Sequence, residues 1–132
     1  MDKLYVGQEN VTEWVFAERE VRLFAEITGD QNPVHLDCEY AAKGKFGKTI
    51  VHGILLAGLI SKVIGMELPG KGSIYLEQDL QFKKPVFVGE KVTAKVKITD
   101  IHKNKIFTLE TNIYDKDSYC VINGTAKVLY EK

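Results

Sequence analysis

The chain has 132 residues, of which 45% are hydrophobic, and its 18 basic and 18 acidic side chains give a formal net charge of zero. This length suits one domain, so we predict a single domain over residues 1–132. The balanced charge argues against nucleic acid as the main partner, because phosphate backbones need a clustered basic surface.

The first half of the chain is predicted to be mostly helical, with an early strand at 12–16. Residues 17–28 place apolar side chains at helical spacing, and Gly29 follows where a helix cap would lie. Pro33 disfavours the helical conformation in the residue before it, so the helix should end before it. A short helix is expected at about 37–43.

The longest apolar run, residues 50–65, predicts a long helix from about 52 to 66. This helix is apolar on nearly every side, so the rest of the fold should enclose it. The run is shorter than a membrane span and contains Lys62, so no membrane partner is expected.

The second half predicts an antiparallel sheet, because apolar and polar residues alternate there with the period of half-buried strands. The predicted strands are 73–82, 92–99, 106–114 and 119–130. Short polar turns join the last three into a meander. The economical packing wraps this sheet around the long helix, which predicts an α+β fold.

Neither the N-terminus nor the cysteines suggest export. The first residues lack a basic segment followed by an apolar stretch, so no signal peptide is expected. Cys38 and Cys120 are far apart and form no C-x-x-C pattern. We therefore expect reduced cysteines in a cytoplasmic protein.

Asp30 and His35 are the first candidates for chemistry. They lie on either side of an Asn-Pro turn, which can bring a carboxylate and an imidazole to one water molecule. Imidazole titrates near neutral pH and suits proton transfer. The same residues are also an ordinary turn composition, and a lone histidine is more often structural, so the residues alone leave both interpretations open.

Gly53 opens the long helix and is the second candidate. A helix N-terminus has unpaired N–H groups and a partial positive charge, and glycine lets a ligand approach the backbone closely. Such a site can stabilise negative charge on a carbonyl oxygen. Close helix packing explains the glycine equally well. His52 and His102 are given no catalytic role.

Four segments of the sequence resemble the MaoC-like, (R)-specific enoyl-CoA hydratases. They are TGDQNPVH at 28–35, FG at 46–47, IVHG at 50–53 and FKKPVFVGE at 82–90. The G-D-x-N-P-x-H core is the specific part, and the resemblance covers roughly the whole chain.

This resemblance implies a hot-dog fold, a homodimer with the acyl pocket near the subunit interface, and neither a metal nor another cofactor. By position, Asp30 and His35 match the catalytic pair, and Gly53 matches the residue whose N–H binds the thioester carbonyl. Ser61 matches a polar residue near the pair, and Asn32 would help to hold the Asp-bearing loop. The implied substrate is a trans-2-enoyl-CoA, hydrated to an (R)-3-hydroxyacyl-CoA.

Three other functions stay open. A 3-hydroxyacyl-carrier-protein dehydratase would use the same residues. A hot-dog acyl-CoA thioesterase typically uses a carboxylate on or near the central helix, and this helix has none before Glu67. A non-catalytic acyl-thioester-binding module would more often have lost Asp30 or His35. Lys43, Lys45 and Lys48 are candidates for the phosphates of coenzyme A, although a solvated basic loop is favoured.

Overall fold

In the computed structural model, which describes residues 3–131, one antiparallel sheet packs against one long helix. The helices are α1 (Glu18–Thr28), α2 (Pro33–Leu36), α3 (Cys38–Ala42) and α4 (Gly53–Met66). The strands are β1 (Glu9–Val15), β2 (Ile74–Gln78), β3 (Gln81–Phe82), β4 (Lys91–His102), β5 (Ile106–Tyr114) and β6 (Cys120–Leu129). The strand order is β1-β4-β5-β6-β2, and β3 also pairs with β6.

The core lies between α4 and the inner face of the sheet. Alternate side chains of β4 are fully buried there, and β5 contributes its own alternate residues in register. The buried residues of α4 are Leu56, Leu59, Ile60, Val63 and Ile64. The period-two pattern therefore identified the inner face correctly, and the predicted α+β arrangement is confirmed.

One side of α4 is not enclosed. Ile54 is 62% exposed and Met66 is 54% exposed, although both belong to the apolar helix. The expectation that this chain encloses the helix on every side is therefore wrong. Strands β1, β4 and β5 pack against the buried face of α4.

The predicted strand at 73–82 is two strands. β2 pairs with the end of β6, and β3 pairs with β6 nearer its start. Between them the Asp79 carbonyl packs directly on Gly124, where a side chain would have no room. The Asp79 carboxylate also accepts a hydrogen bond of 3.1 Å from the Thr125 N–H. These contacts of Asp79 lie at the break between β2 and β3.

The predicted helix ends agree with the structure. α1 ends at Gly29, whose φ of 80° is in the left-handed region. Asp37 caps α3 by accepting hydrogen bonds from Glu39 and Tyr40. Sequence analysis missed α2, a single turn that starts at Pro33. Within residues 3–131, no helix is long and apolar enough to cross a membrane.

Candidate active site

A hydrogen-bonded loop between α1 and α2 carries Asp30. Its N–H donates to the Thr28 hydroxyl at 3.1 Å, and its carboxylate accepts from the Asn32 N–H at 3.3 Å. Asn32 then caps α2 by accepting from the Val34 N–H at 3.1 Å. The turn chemistry of the sequence thus fixes the path from Asp30 to the first turn of α2.

His35 lies on α2 and is half-buried. Its Nδ1 lies 2.8 Å from the Ile50 carbonyl oxygen, which can only accept, so Nδ1 carries the hydrogen and donates it. In the neutral ring this leaves Nε2 with a free lone pair. His35 is therefore oriented as a proton acceptor at Nε2.

A second histidine, His52, supports the first. It precedes α4 and is only 2% exposed. Its Nε2 donates to the Asp30 carbonyl oxygen at 3.0 Å. Its ring stacks on the His35 ring with centroids 3.9 Å apart, and its other neighbour is the Phe24 ring at 4.7 Å.

Asp30, His35 and His52 form one cluster. One polar side-chain atom from each lies within 4.8 Å of those of the other two. A separation of this size lets a single water molecule bridge the carboxylate and the His35 imidazole. The predicted proximity of Asp30 and His35 is thus present in the structure.

The same three donor types can also ligate metals. Here the two imidazole rings are stacked at an interplanar angle of 28°, so their in-plane lone pairs run side by side instead of converging. The Nε2 of His52 is also occupied by the Asp30 carbonyl. The geometry favours a water site over a metal site.

The pKa of His35 is lowered from its ordinary value of 6.5, mainly because burial disfavours the charged ring. The nearby His52 also lowers this pKa, while the Ile50 hydrogen bond and the Asp30 carboxylate oppose the shift. Burial prevails, so His35 stays neutral to a lower pH than a free histidine.

We expect this shift to appear in the pH profile. A lowered pKa keeps His35 able to accept a proton as the pH falls past 6.5. For a reaction in which His35 accepts a proton, the acid limb of the pH profile of kcat/KM should therefore have its midpoint below 6.5. An NMR titration of the His35 ring should give the same midpoint. A midpoint at or above 6.5 in both measurements would contradict a role for His35 as a proton acceptor at Nε2.

A cavity of about 560 Å³ opens beside the cluster. His35, Gly53 and three lysines line it, and most of the remaining wall is apolar. Among the apolar lining residues are Ile54, Leu56, Phe82, Val86 and Ile122. An apolar cavity with a few convergent polar groups is the usual form of a small-molecule site.

Gly53 is the first residue of α4, and its N–H belongs to the helix end that has no intrahelical partner. The Phe82 ring lies against it, since a Cβ at this position would be 2.7 Å from two ring carbons. The glycine thus permits close packing against Phe82, and Gly53 is also among the residues that line the cavity. The packing explanation is therefore observed, and the binding of a carbonyl oxygen by the Gly53 N–H stays a prediction.

Ser61 is not brought to this cavity by a single chain. It lies more than two helical turns beyond Gly53 and is exposed. It lines a second groove with Gly58 and Tyr75. The expectation that Ser61 lies near the pair is therefore wrong within one chain. Asn32 holds the Asp30 loop, as expected, and is not among the residues lining the cavity.

Sequence analysis missed two features of the site. It gave His52 no role beyond support of the helix start, although the residue directly precedes Gly53 in the IVHG segment. It also singled out the lysines of one loop, whereas the cavity is lined by Lys45 together with Lys83 and Lys84 from a different segment. The FKKP segment at 82–85 was the sequence signal that could have identified Lys83 and Lys84.

Comparison with known proteins identifies the family. The model of the MaoC-like domain matches residues 5–118. The (R)-specific enoyl-CoA hydratase of Aeromonas caviae is 48% identical over 126 residues, which are 95% of this chain and 94% of that protein. The chain belongs to the MaoC-like domain family. The resemblance carried by the G-D-x-N-P-x-H segment is therefore confirmed.

Solved structures of MaoC-like relatives have the same fold. An (R)-hydratase from A. caviae involved in PHA biosynthesis superposes with a TM-score of 0.95 at 45% identity, covering 99% of this chain and 100% of that one. The R-hydratase PhaJ1 from Pseudomonas aeruginosa superposes with a TM-score of 0.94 at 36% identity, covering 98% and 83%. The predicted hot-dog fold is confirmed.

Proposed function

We propose that this MaoC-like protein is an (R)-specific hydratase that adds water to a trans-2-enoyl-CoA and gives an (R)-3-hydroxyacyl-CoA. The observation that carries the proposal is the Asp30–His35 cluster beside an apolar cavity, with the Gly53 N–H at the same cavity. The 48% sequence identity to an (R)-specific enoyl-CoA hydratase, over an alignment that covers 95% of this chain, supports the same activity.

The proposed reaction follows from the positions of these groups. A water molecule between the Asp30 carboxylate and His35 Nε2 gives up a proton to the pair as its oxygen bonds to C3 of the substrate. The electrons of the double bond move toward the thioester carbonyl, whose oxygen accepts a hydrogen bond from the Gly53 N–H. The pair then delivers a proton to C2 from the same face. Dehydration reverses these steps through the same groups.

Thioester hydrolysis is the main alternative activity, and the structure supports it less well than hydration. Within residues 3–131, the central helix α4 contains no aspartate or glutamate that could attack or activate water at the thioester carbon. Both polar groups that we assign to water lie before α4, on the loop and on α2. This arrangement counts against thioester hydrolysis by a carboxylate of α4.

The test is to mix purified protein with crotonyl-CoA and follow two signals. Hydration removes the ultraviolet band of the conjugated enoyl thioester and releases no thiol. Thioester hydrolysis releases free coenzyme A, which a thiol reagent detects. Loss of the band without free thiol supports the proposal. No change with crotonyl-CoA or longer enoyl-CoA chains would exclude it, and a crotonyl carrier protein would then test the dehydratase alternative.

Coenzyme A as the carrier is supported by the basic wall of the cavity. Lys45, Lys83 and Lys84 all line it. Lys84 is already paired with the buried Asp115 carboxylate at 3.0 Å. We therefore assign Lys45 and Lys83 to the phosphates of the carrier, where they act as flexible point charges.

Replacing Lys45 and Lys83 together by alanine is expected to raise KM for crotonyl-CoA by roughly threefold to tenfold, because exposed ion pairs contribute little each. The KM for crotonyl-pantetheine, which has no phosphates, should not change. Lys97→Ala on the exposed outer face of β4 is the control. An equal change in KM for both substrates would contradict the assignment.

We also propose a homodimer formed through the α4–β2 face, which comprises Ile54, Gly58 and Ser61 of α4 with Tyr75 and Leu76 of β2. Leu76 is 50% exposed, and β2 ends the strand order, so within residues 3–131 its outer edge has no pairing strand. A second copy would cover the apolar side of α4 and extend the sheet.

We propose a cytoplasmic location as well, and the two free cysteines agree with it.

Sedimentation equilibrium is expected to give the dimer mass for the native protein. Leu76→Glu should shift the mass toward the monomer, because it buries a charge without a partner at the proposed interface. Val11→Glu, at an equally exposed position of β1, should leave the mass unchanged. A native monomer would contradict the proposed interface.

A further inference from the structure

His52 is a buried titratable side chain that the proposed reaction does not use. It is 2% exposed, and it contacts the Asp30 loop, the His35 ring and the Phe24 ring. Its Nε2 donates to the Asp30 carbonyl at 3.0 Å, and its ring stacks on the His35 ring at 3.9 Å. Its own backbone precedes Gly53, the first residue of α4.

We propose that His52 is a positioning residue, which holds the Asp30 loop and the His35 ring in fixed relation to each other and to the Gly53 N–H. This inference rests on the proposed function, because it concerns how the same site is held in place. His52 itself does not touch the reacting water or the substrate in this assignment.

The hydrogen bonds of the loop explain why such a residue is needed. Asp30 is exposed, and it lies on a loop whose other contacts are local, to Thr28 and Asn32. The bond from His52 to the Asp30 carbonyl joins that loop to the start of α4, 22 positions later in the chain. Without it, local contacts alone would set the distance between Asp30 and His35.

The buried Nδ1 of His52 supports a positioning role over simple packing. It has no hydrogen-bond partner among the described residues. A buried polar atom without a partner lowers stability, and an apolar ring would fill the same space without that penalty. The ring contacts of His52 with His35 and Phe24 need only an aromatic ring, which a phenylalanine also has. The donor at Nε2 is what a phenylalanine cannot supply.

Two substitutions separate the two contributions of His52. His52→Phe keeps an aromatic ring between Phe24 and His35 and removes the donor to Asp30. His52→Gln keeps an amide donor near the position of Nε2 and removes the ring. His102→Gln removes an exposed histidine at the end of β4 and serves as the control.

For His52→Phe we expect kcat with crotonyl-CoA to fall by about tenfold to a hundredfold, with KM within about threefold, because misplacing a catalytic group slows chemistry more than binding. His52→Gln should recover most of the lost kcat. His102→Gln should match the native protein. Circular dichroism and thermal unfolding should show that all three variants are folded.

Native kcat in His52→Phe would overturn the inference. A loss of kcat in both His52 variants that is fully explained by a smaller folded fraction would also overturn it, because such a loss indicates a packing role. NMR provides a readout that does not depend on activity: the His35 Nδ1–H signal should be sharp in the native protein and broadened in His52→Phe. If the native protein fails to hydrate enoyl thioesters, the proposed function is wrong, and this signal still decides whether His52 orders the pair.

Discussion

Asp30→Asn and His35→Asn are each expected to lower kcat for crotonyl-CoA by about 10²–10⁴-fold, the usual contribution of a positioned acid or base. Asparagine at 30 keeps the size of the side chain and its acceptor for the loop but removes the carboxylate. Asparagine at 35 keeps a donor near the Ile50 carbonyl but removes the free Nε2 lone pair. Both variants should remain folded, because the contacts that shape the loop survive.

Steady-state kinetics on the two variants and on their double mutant checks this expectation. Because Asp30 and His35 act on one water molecule, their effects should not add, and the double mutant should resemble the slower single mutant. Asp100→Asn, at an exposed position of β4, should keep native activity. A single variant that retains more than about a tenth of native kcat would remove that residue from the catalytic pair.

Gly53→Pro is expected to lower kcat by about 10²–10³-fold, the effect of losing one donor to a developing oxyanion. Proline lacks the N–H, yet it fits the first position of a helix. The preceding residue, His52, already has φ −56° and ψ 131°, the extended conformation that a following proline requires. The substitution therefore removes the donor while α4 can still form.

Gly53→Ala is the matched control for this substitution. Its Cβ meets the Phe82 ring just as the proline would, and Phe82 is 53% exposed, so the ring can move aside in both variants. Alanine keeps the N–H. The difference in kcat between the two variants thus isolates the hydrogen bond, and equal losses in both would show that packing at Gly53 matters instead.

Much of the fold could be predicted because its signals are local. The alternation in β4 and β5 reports one buried face, and the predicted 106–114 strand coincides with β5. Gly29 and Asp37 cap helices through contacts within a few residues. The turn that joins Asp30 to His35 is local as well, which is why the proximity of the pair could be predicted from the sequence.

The features that sequence analysis missed depend on contacts between distant segments. The break between β2 and β3 follows from the Asp79 carbonyl packing on Gly124, and neither residue alone signals it. The role of His52 depends on a bond across 22 positions to the Asp30 carbonyl. A single chain does not bring Ser61 to the cavity that Gly53 lines, and a match to a family residue by position carries no information on that separation.

The most direct test of the proposed chemistry is the stereochemistry of the product. The protein is incubated with crotonyl-CoA in deuterium oxide, and the product is examined by chiral chromatography and NMR. The proposed (R)-specific addition of water by Asp30 and His35 predicts (R)-3-hydroxybutyryl-CoA with deuterium at C2 on the same face as the new hydroxyl. An (S) or racemic product, or free coenzyme A with the double bond intact, would contradict it.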